Sequence, residues 1–168
     1  MEIKKLKSEQ LDEILALYKD IKNNTYTIWD KDYPSKELVQ YDIERNGLWG
    51  VFDKNTLVGV CFCGERCEDG EEDFTWKDTF NKRGTFARIG ISPAYQNQGI
   101  ATMLVKFVLE DLQKQGFDGV RILVGTKNEN AQKLYKKFGF YNCGETHRYG
   151  HNYYLYELRI QENLNFIR

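Results

Sequence analysis

Ile89-Gly90-Ile91-Ser92-Pro93-Ala94-Tyr95-Gln96-Asn97-Gln98-Gly99-Ile100-Ala101-Thr102 is the stretch on which the reading of this chain turns. It closes a β-branched and aromatic run, Thr85 to Ser92, that reads as a strand, and passes through a turn at Pro93-Ala94-Tyr95. A long helix follows from about Gln98 to Gln115, with Ile100, Met103, Leu104, Phe107, Val108 and Leu112 on one face and Gly116 just past its end. Gly99 and Ala101 are the smallest side chains of the turn and leave backbone amides open. Amides at a helix N-terminus lack intrahelical acceptors and sit at the positive end of its dipole, an arrangement suited to phosphate or pyrophosphate. The same small residues would equally serve close packing of the helix on a sheet. The turn is neither a P-loop nor a dinucleotide fingerprint, because the lysine-serine/threonine ending and the three spaced glycines are absent.

Downstream, Val120 to Gly125 reads as a short strand, Glu129 to Phe138 as a helix ended by Gly139, and Phe140 to His147 with Tyr153 to Ile160 as a closing hairpin. Upstream, a short strand over Glu2 to Leu6 is followed by Ser8 as an N-cap and by Leu11, Ile14, Leu15, Tyr18 and Ile21 at helical spacing. After an aromatic connection, Asn23 to Tyr33, Pro34-Ser35 starts a second helix with Leu38, Val39, Tyr41 and Ile43, closed by Asn46-Gly47. Leu48 to Phe52 and Thr56 to Gly64 read as an antiparallel hairpin around Asp53-Lys54-Asn55. The order is β-α-α-β-β-β-α-β-α-β-β. One crossover helix, between Ser92 and Val120, makes the strands it joins parallel. The expected fold is α/β with a mixed, mostly antiparallel sheet flanked by about four helices, in a single domain over residues 1–168.

Composition narrows the function. The 168 residues carry 24 Lys+Arg against 25 Asp+Glu, a net charge of −1, so no global positive field draws nucleic acid or anionic lipid. The longest apolar run, Leu57 to Gly64, is too short to span a bilayer and the first residues hold no apolar core, so a cytoplasmic protein without a membrane partner is expected. Cys61, Cys63, Cys67 and Cys143 lack the paired spacing of common zinc sites, and no metal is expected. They read as free thiols, packed as small hydrophobes. A polar interruption, Glu65 to Gly84, opens with Glu65, Glu68, Asp69, Glu71, Glu72 and Asp73 against Arg66. Such a run is ordinarily a solvated face, but it could also attract a cationic amine.

A second motif lies beyond the crossover: Asn128, Ala131, Leu134, Tyr135, Phe138, Gly139 and Phe140 spell Asn-x-x-Ala-x-x-Leu-Tyr-x-x-Phe-Gly-Phe. With Ile89-Gly90-Ile91-Ser92-Pro93 and Gln96-x-x-Gly99-x-Ala101 before it, the chain resembles the GNAT superfamily of acyl-coenzyme-A-dependent N-acetyltransferases. The order of elements agrees across nearly the whole chain; the departure is Ala101, where glycine is commoner. The resemblance implies acetyl-CoA as cosubstrate and an amine acceptor as partner, with a homodimer as a further option. It implies a coenzyme lying between two parallel strands that splay apart. The backbone of Ile89, Gly90 and Ile91 would pair with the pantetheine arm, and the amides of Gln96, Asn97, Gln98, Gly99, Ile100, Ala101 and Thr102 would hold the pyrophosphate. Asn128 would make a polar contact to the coenzyme, although asparagine there also suits a helix cap.

Tyr135 falls where many members keep a tyrosine near the coenzyme sulfur, and its phenol would protonate the departing thiolate, of reference pKa ~8.5. By spacing alone it would equally be core, beside Ala131, Leu134 and Phe138. An amine of reference pKa ~10.4 must first lose a proton. Yet Thr85, or a close neighbour, and Leu123 occupy the positions where the family places its base glutamates. Glu65, Asp73, Asp30, Asp32, His147 and His151 are the remaining candidates, each also readable as a surface group. The acceptor pocket would draw on Tyr26 to Tyr33, Glu65 to Gly84 and His147 to Tyr153. The expected function is transfer of an acetyl group from acetyl-CoA to a primary amine of a small molecule or peptide. The competing class is an acyl-CoA-binding module without turnover, which the unfilled base positions favour and Tyr135 opposes.

Overall fold

The computed structural model describes residues 1–25, 27–66 and 74–160. Tyr26 and the segment Cys67 to Asp73, which carries most of the acidic run, lie outside the described residues. The chain falls into two compact units, Met1–Cys63 with Arg88–Val105, and Gly64–Ala87 with the chain from Lys106 onward. The elements are β1 (Glu2–Lys5), α1 (Leu11–Asn24), α2 (Lys36–Glu44), β2 (Leu48–Asp53), β3 (Thr56–Gly64), β4 (Arg83–Ile91), α3 (Ile100–Lys114), β5 (Gly119–Gly125), α4 (Glu129–Lys137), β6 (Tyr141–Arg148) and β7 (His151–Arg159). The expected order therefore stands, and β4 and α3 each run through both units. The seven-stranded sheet has the order β1-β2-β3-β4-β5-β7-β6. It is mixed: β1/β2, β2/β3, β5/β7 and β6/β7 are antiparallel, while β4 and β5 are parallel.

In the first unit α1 turns Ile14, Leu17, Tyr18 and Ile21 inward, as the helical spacing of all but Leu17 predicted. Its start differs from expectation: Ser8–Gln10 is a 3-10 turn, and the Gln10 side chain accepts from the Lys7 N–H at 2.7 Å, so Ser8 is not the N-cap. Ser35 does cap α2, accepting from the Leu38 N–H at 3.1 Å. Of the apolar residues of α2, Val39 is buried while Tyr41 is 53% exposed, and the charged Asp42 is buried beside Val39's turn of helix. Gly90 of β4 is required by close approach: a Cβ there would lie 2.6 Å from Ile21 Cδ1 and 3.4 Å from the Trp29 ring.

In the second unit β4 begins at Arg83 rather than Thr85, because Arg83 and Gly84 pair with Gly119 and Val120 of β5. Gly84 belongs to the sheet and has no side chain because Leu112 occupies that space, 2.9 Å from where a Cβ would stand. The last hairpin is tighter than predicted. Tyr149 (φ +54°) and Gly150 (φ +77°) make a two-residue turn, so His147 pairs with Asn152 and Arg148 with His151 within the ladder. Phe86, Phe117, Val120, Ile122, Val124, Phe138, Phe140, Leu155 and Tyr156 fill this unit's core.

Candidate active site

The glycine turn lies in the first unit. After β4 the chain makes a 3-10 turn at Pro93–Tyr95, with the Tyr95 N–H donating to Ser92 O at 2.8 Å. The turn is pinned by its side chains: the Tyr95 hydroxyl donates to Asp53 Oδ2 at 2.9 Å, Gln96 Nε2 to Ile91 O at 3.3 Å, and Gln98 Nε2 to Ala94 O at 3.3 Å. Asn97 (φ +60°) and Gly99 (φ +79°) are both left-handed, and a Cβ on Gly99 would meet nothing within 4 Å. The first α3 bond runs from Met103 N–H to Gly99 O, so the amides of Ile100, Ala101 and Thr102 have no acceptor within the helix. An exposed, open glycine corner at the start of a long helix leaves amides able to donate to an anion. In β4, Gly90 and Ile91 are buried and Ile89 is half-buried.

The second motif lies in the second unit. Asn128 caps α4, its Oδ1 accepting from Ala131 N–H at 3.2 Å. Gln132 Nε2 reaches back to the carbonyls of Gly125 and Thr126 at 3.1 and 3.0 Å, which fixes the β5–α4 corner. Tyr135 is 6% exposed, and its ring packs edge-on to Phe86 and Phe140 with centroids 5.5 and 5.9 Å apart. The ring thus contributes to the core, while the phenol supplies a polar group on the same side chain.

Of the described base candidates His151 is half-buried. Glu65, Asp30, Asp32 and His147 are exposed. Asp30 Oδ1 accepts from Asp32 N–H at 3.0 Å, a turn contact, and His147 Nδ1 lies 2.7 Å from Asn152 Oδ1. Asp73 is outside the described residues. Thr85 is 1% exposed and its hydroxyl has no partner among the described residues. Leu123 is half-buried and offers no proton acceptor.

Two buried charged clusters escaped the sequence reading. In the first unit Arg88 binds Asp42 through Nε–Oδ2 at 2.8 Å and Nη2–Oδ1 at 2.9 Å, and its Nη1 donates to the Tyr33 hydroxyl at 3.2 Å. Burial works against the guanidinium charge, but Tyr33 and Asp42 outweigh it and hold Arg88 above its ordinary range. In the second unit Glu157 of β7 is wholly buried. Its Oε1 accepts from the amides of Lys77 and Asp78 and from the Cys143 thiol, each at 3.0 Å, and its Oε2 from Arg121 Nε at 2.8 Å. A charge inside the apolar runs Leu38–Ile43 and Thr85–Ser92 was the available signal for Asp42 and Arg88. Cys61 and Cys63 are buried free thiols, whereas Cys143 is a half-buried hydrogen-bond donor rather than a small hydrophobe. Among the described residues no group of three or more His, Cys, Asp or Glu is placed to hold a metal ion, and no helix is long and apolar enough to cross a membrane.

A model of the acetyltransferase (GNAT) family matches residues 11–140. Among curated proteins, GCN5-related N-acetyltransferase 6, chloroplastic, of Arabidopsis thaliana is 30% identical over 84 residues, 50% of this chain and 29% of that one. The chain thus spans less than a third of that relative. N-alpha-acetyltransferase 30 of Schizosaccharomyces pombe is 25% identical over 120 residues, 68% of this chain and 72% of that one. Among solved structures, yncA of Salmonella typhimurium with its cofactor acetyl-CoA superposes with a TM-score of 0.73 at 15% identity, covering 97% of this chain and 95% of that one, a likeness of fold.

Proposed function

Because the chain belongs to the acetyltransferase (GNAT) family, we propose that it transfers an acetyl group from acetyl-CoA to a primary amine of a small molecule or peptide. The observation that carries this reading is the Gly99 corner: left-handed, open where a side chain would stand, and followed at once by the unfilled amides of α3. In this reading the amides from Gln96 to Thr102 bind the pyrophosphate, the backbone of Ile89–Ile91 holds the pantetheine arm, and Asn128 adds a polar contact. The thioester supplies an activated acyl carbon. A neutral amine attacks it directly, the new C–N bond replaces the C–S bond, and a main-chain amide of β4 stabilises the oxyanion. The Tyr135 phenol holds the proton that the departing thiolate takes. The amine's own proton passes to water or to a carboxylate, and a proton from the solvent returns to the Tyr135 phenolate, so that the net change is amide plus thiol. Residues 1–168 act as one catalytic domain, and the proposed setting is the cytoplasm, where free thiols such as Cys61 and Cys63 persist.

The test is thiol release from acetyl-CoA against polyamines, aminoglycosides, amino acids and basic peptides, alongside calorimetric binding of coenzyme A. Amine-dependent release is the expected result and names the acceptor class. Coenzyme binding without release under any acceptor favours the acyl-CoA-binding module, and absence of binding overturns the reading.

A further inference from the structure

Arg88 occupies a backbone conformation that side-chain-bearing residues avoid, φ +52°, inside the strand Arg83–Ile91. Such a conformation is sparsely populated and persists only where its surroundings over-determine it. Here they do. The Arg88 carbonyl accepts from the Tyr18 hydroxyl of α1 at 3.1 Å, and one edge of its guanidinium is held by two hydrogen bonds to Asp42 of α2. The Phe62 ring of β3 packs 4.8 Å from the guanidinium carbon. The side chains of Arg88 and Asp42 are both wholly buried. Burial pushes the Tyr18 phenol well above its ordinary range, more than nearby Arg88 lowers it, so the hydroxyl remains a donor.

Neither feature is the most stable choice for its site. A buried ion pair is commonly replaceable by apolar residues at little loss, and glycine would relieve the left-handed backbone. The best-attested use of such a pair is to specify register. Within a strand, an out-of-pleat residue re-aims the main-chain groups that follow it. The groups that follow are the N–H and C=O of Ile89–Ile91.

We propose that Asp42, Arg88 and Tyr18 form a clamp of positioning residues that sets β4 out of regular pleat at residue 88, so that the backbone of Ile89–Ile91 is aligned to bind coenzyme A. This rests on the acetyl-CoA reading above. Loosening the clamp costs coenzyme affinity beyond what the accompanying loss of stability explains.

The experiment measures coenzyme A binding by calorimetry and Tm for the full chain and for Tyr18→Phe, Asp42→Asn and Arg88→Gly. Leu6→Ala, at a side chain 2% exposed in the same unit, is the control for general destabilisation. Tyr18→Phe removes one hydrogen bond and is expected to weaken binding about three- to tenfold. Asp42→Asn and Arg88→Gly are expected to weaken it about tenfold or more, while Leu6→Ala lowers Tm and leaves affinity within about twofold. A clamp variant that melts cooperatively and binds coenzyme A as the unaltered chain does overturns the proposal. If Asp42→Asn does not fold, Tyr18→Phe decides. Failure of the unaltered chain to bind coenzyme A instead overturns the acetyl-CoA reading and the clamp with it.

Discussion

Tyr135 and Cys143 carry the predictions that belong to single residues. Tyr135→Phe deletes only the phenol oxygen from a ring already packed between Phe86 and Phe140. The expected result is a kcat lower by about a hundredfold with coenzyme affinity retained, read by steady-state kinetics beside calorimetry. An unchanged kcat removes the proton-donor role. At Cys143, burial and the hydrogen bond to Glu157 push the thiol up to about 11. Since the thiolate is the nucleophile, iodoacetamide at pH 8 is expected to leave Cys143 largely unmodified, with reaction rising only as pH approaches that value; peptide mass mapping separates it from Cys61 and Cys63. Tyr135 became a candidate through the resemblance of its motif, whereas its spacing alone reads equally as core. The Glu157 partnership was not legible, because Lys77, Asp78, Arg121 and Cys143 reach that carboxylate from separate stretches of chain.

Among the elements, the starts of α2 and α4 were legible because capping by Ser35 and Asn128 is local, whereas the expected Ser8 cap of α1 is absent. Gly99→Val would place a branched side chain at φ +79° and into the open corner before α3. We expect coenzyme A affinity to fall by about tenfold or more, measured by calorimetry, and unchanged affinity would remove the pyrophosphate assignment. Asn128→Ala removes the cap of α4 and is expected to cost about 1 kcal/mol in denaturant unfolding. A loss of coenzyme affinity in that variant supports a second role as a ligand contact; a stability loss alone leaves Asn128 as a cap. Element ends were less legible. The polar stretch before Thr85 concealed that Arg83 and Gly84 belong to the sheet, since their pairing with Gly119 and Val120 is long-range. The residues between His147 and Tyr153 were expected to make the hairpin connection, yet Tyr149 and Gly150 alone make the turn.

For the whole molecule, acid stability is expected to concentrate where carboxylates fasten the stretch from Lys77 to Lys82 within its own unit. Burial alone would raise Glu157, but its bonds to Cys143, Arg121 and the amides of Asp78 and Lys77 outweigh it and hold the carboxyl below its usual range. For Asp118 burial is likewise outweighed, first by the amides of Asn81 and Lys82. A carboxyl lowered in the folded state stabilises fully above its unfolded pKa, about 4, and that contribution is lost as pH falls through the folded value. Tm should therefore hold from pH 7 to about 5 and drop below about 4. Glu157→Gln should lower Tm at pH 7, by about 3 kcal/mol of stability, and flatten the acid slope; an unchanged slope places the acid sensitivity elsewhere. The sequence by itself determined the element order, the one parallel crossover and the glycine corner, because periodicity and turn chemistry are local and a single crossover is a topological constraint, while the family came from the resemblance of two motifs. Only the tertiary structure decided that Asp42 meets Arg88 and that Glu157 gathers its donors. A charge is stable inside a fold only beside its partner, and partners distant in sequence become neighbours only when the chain is folded.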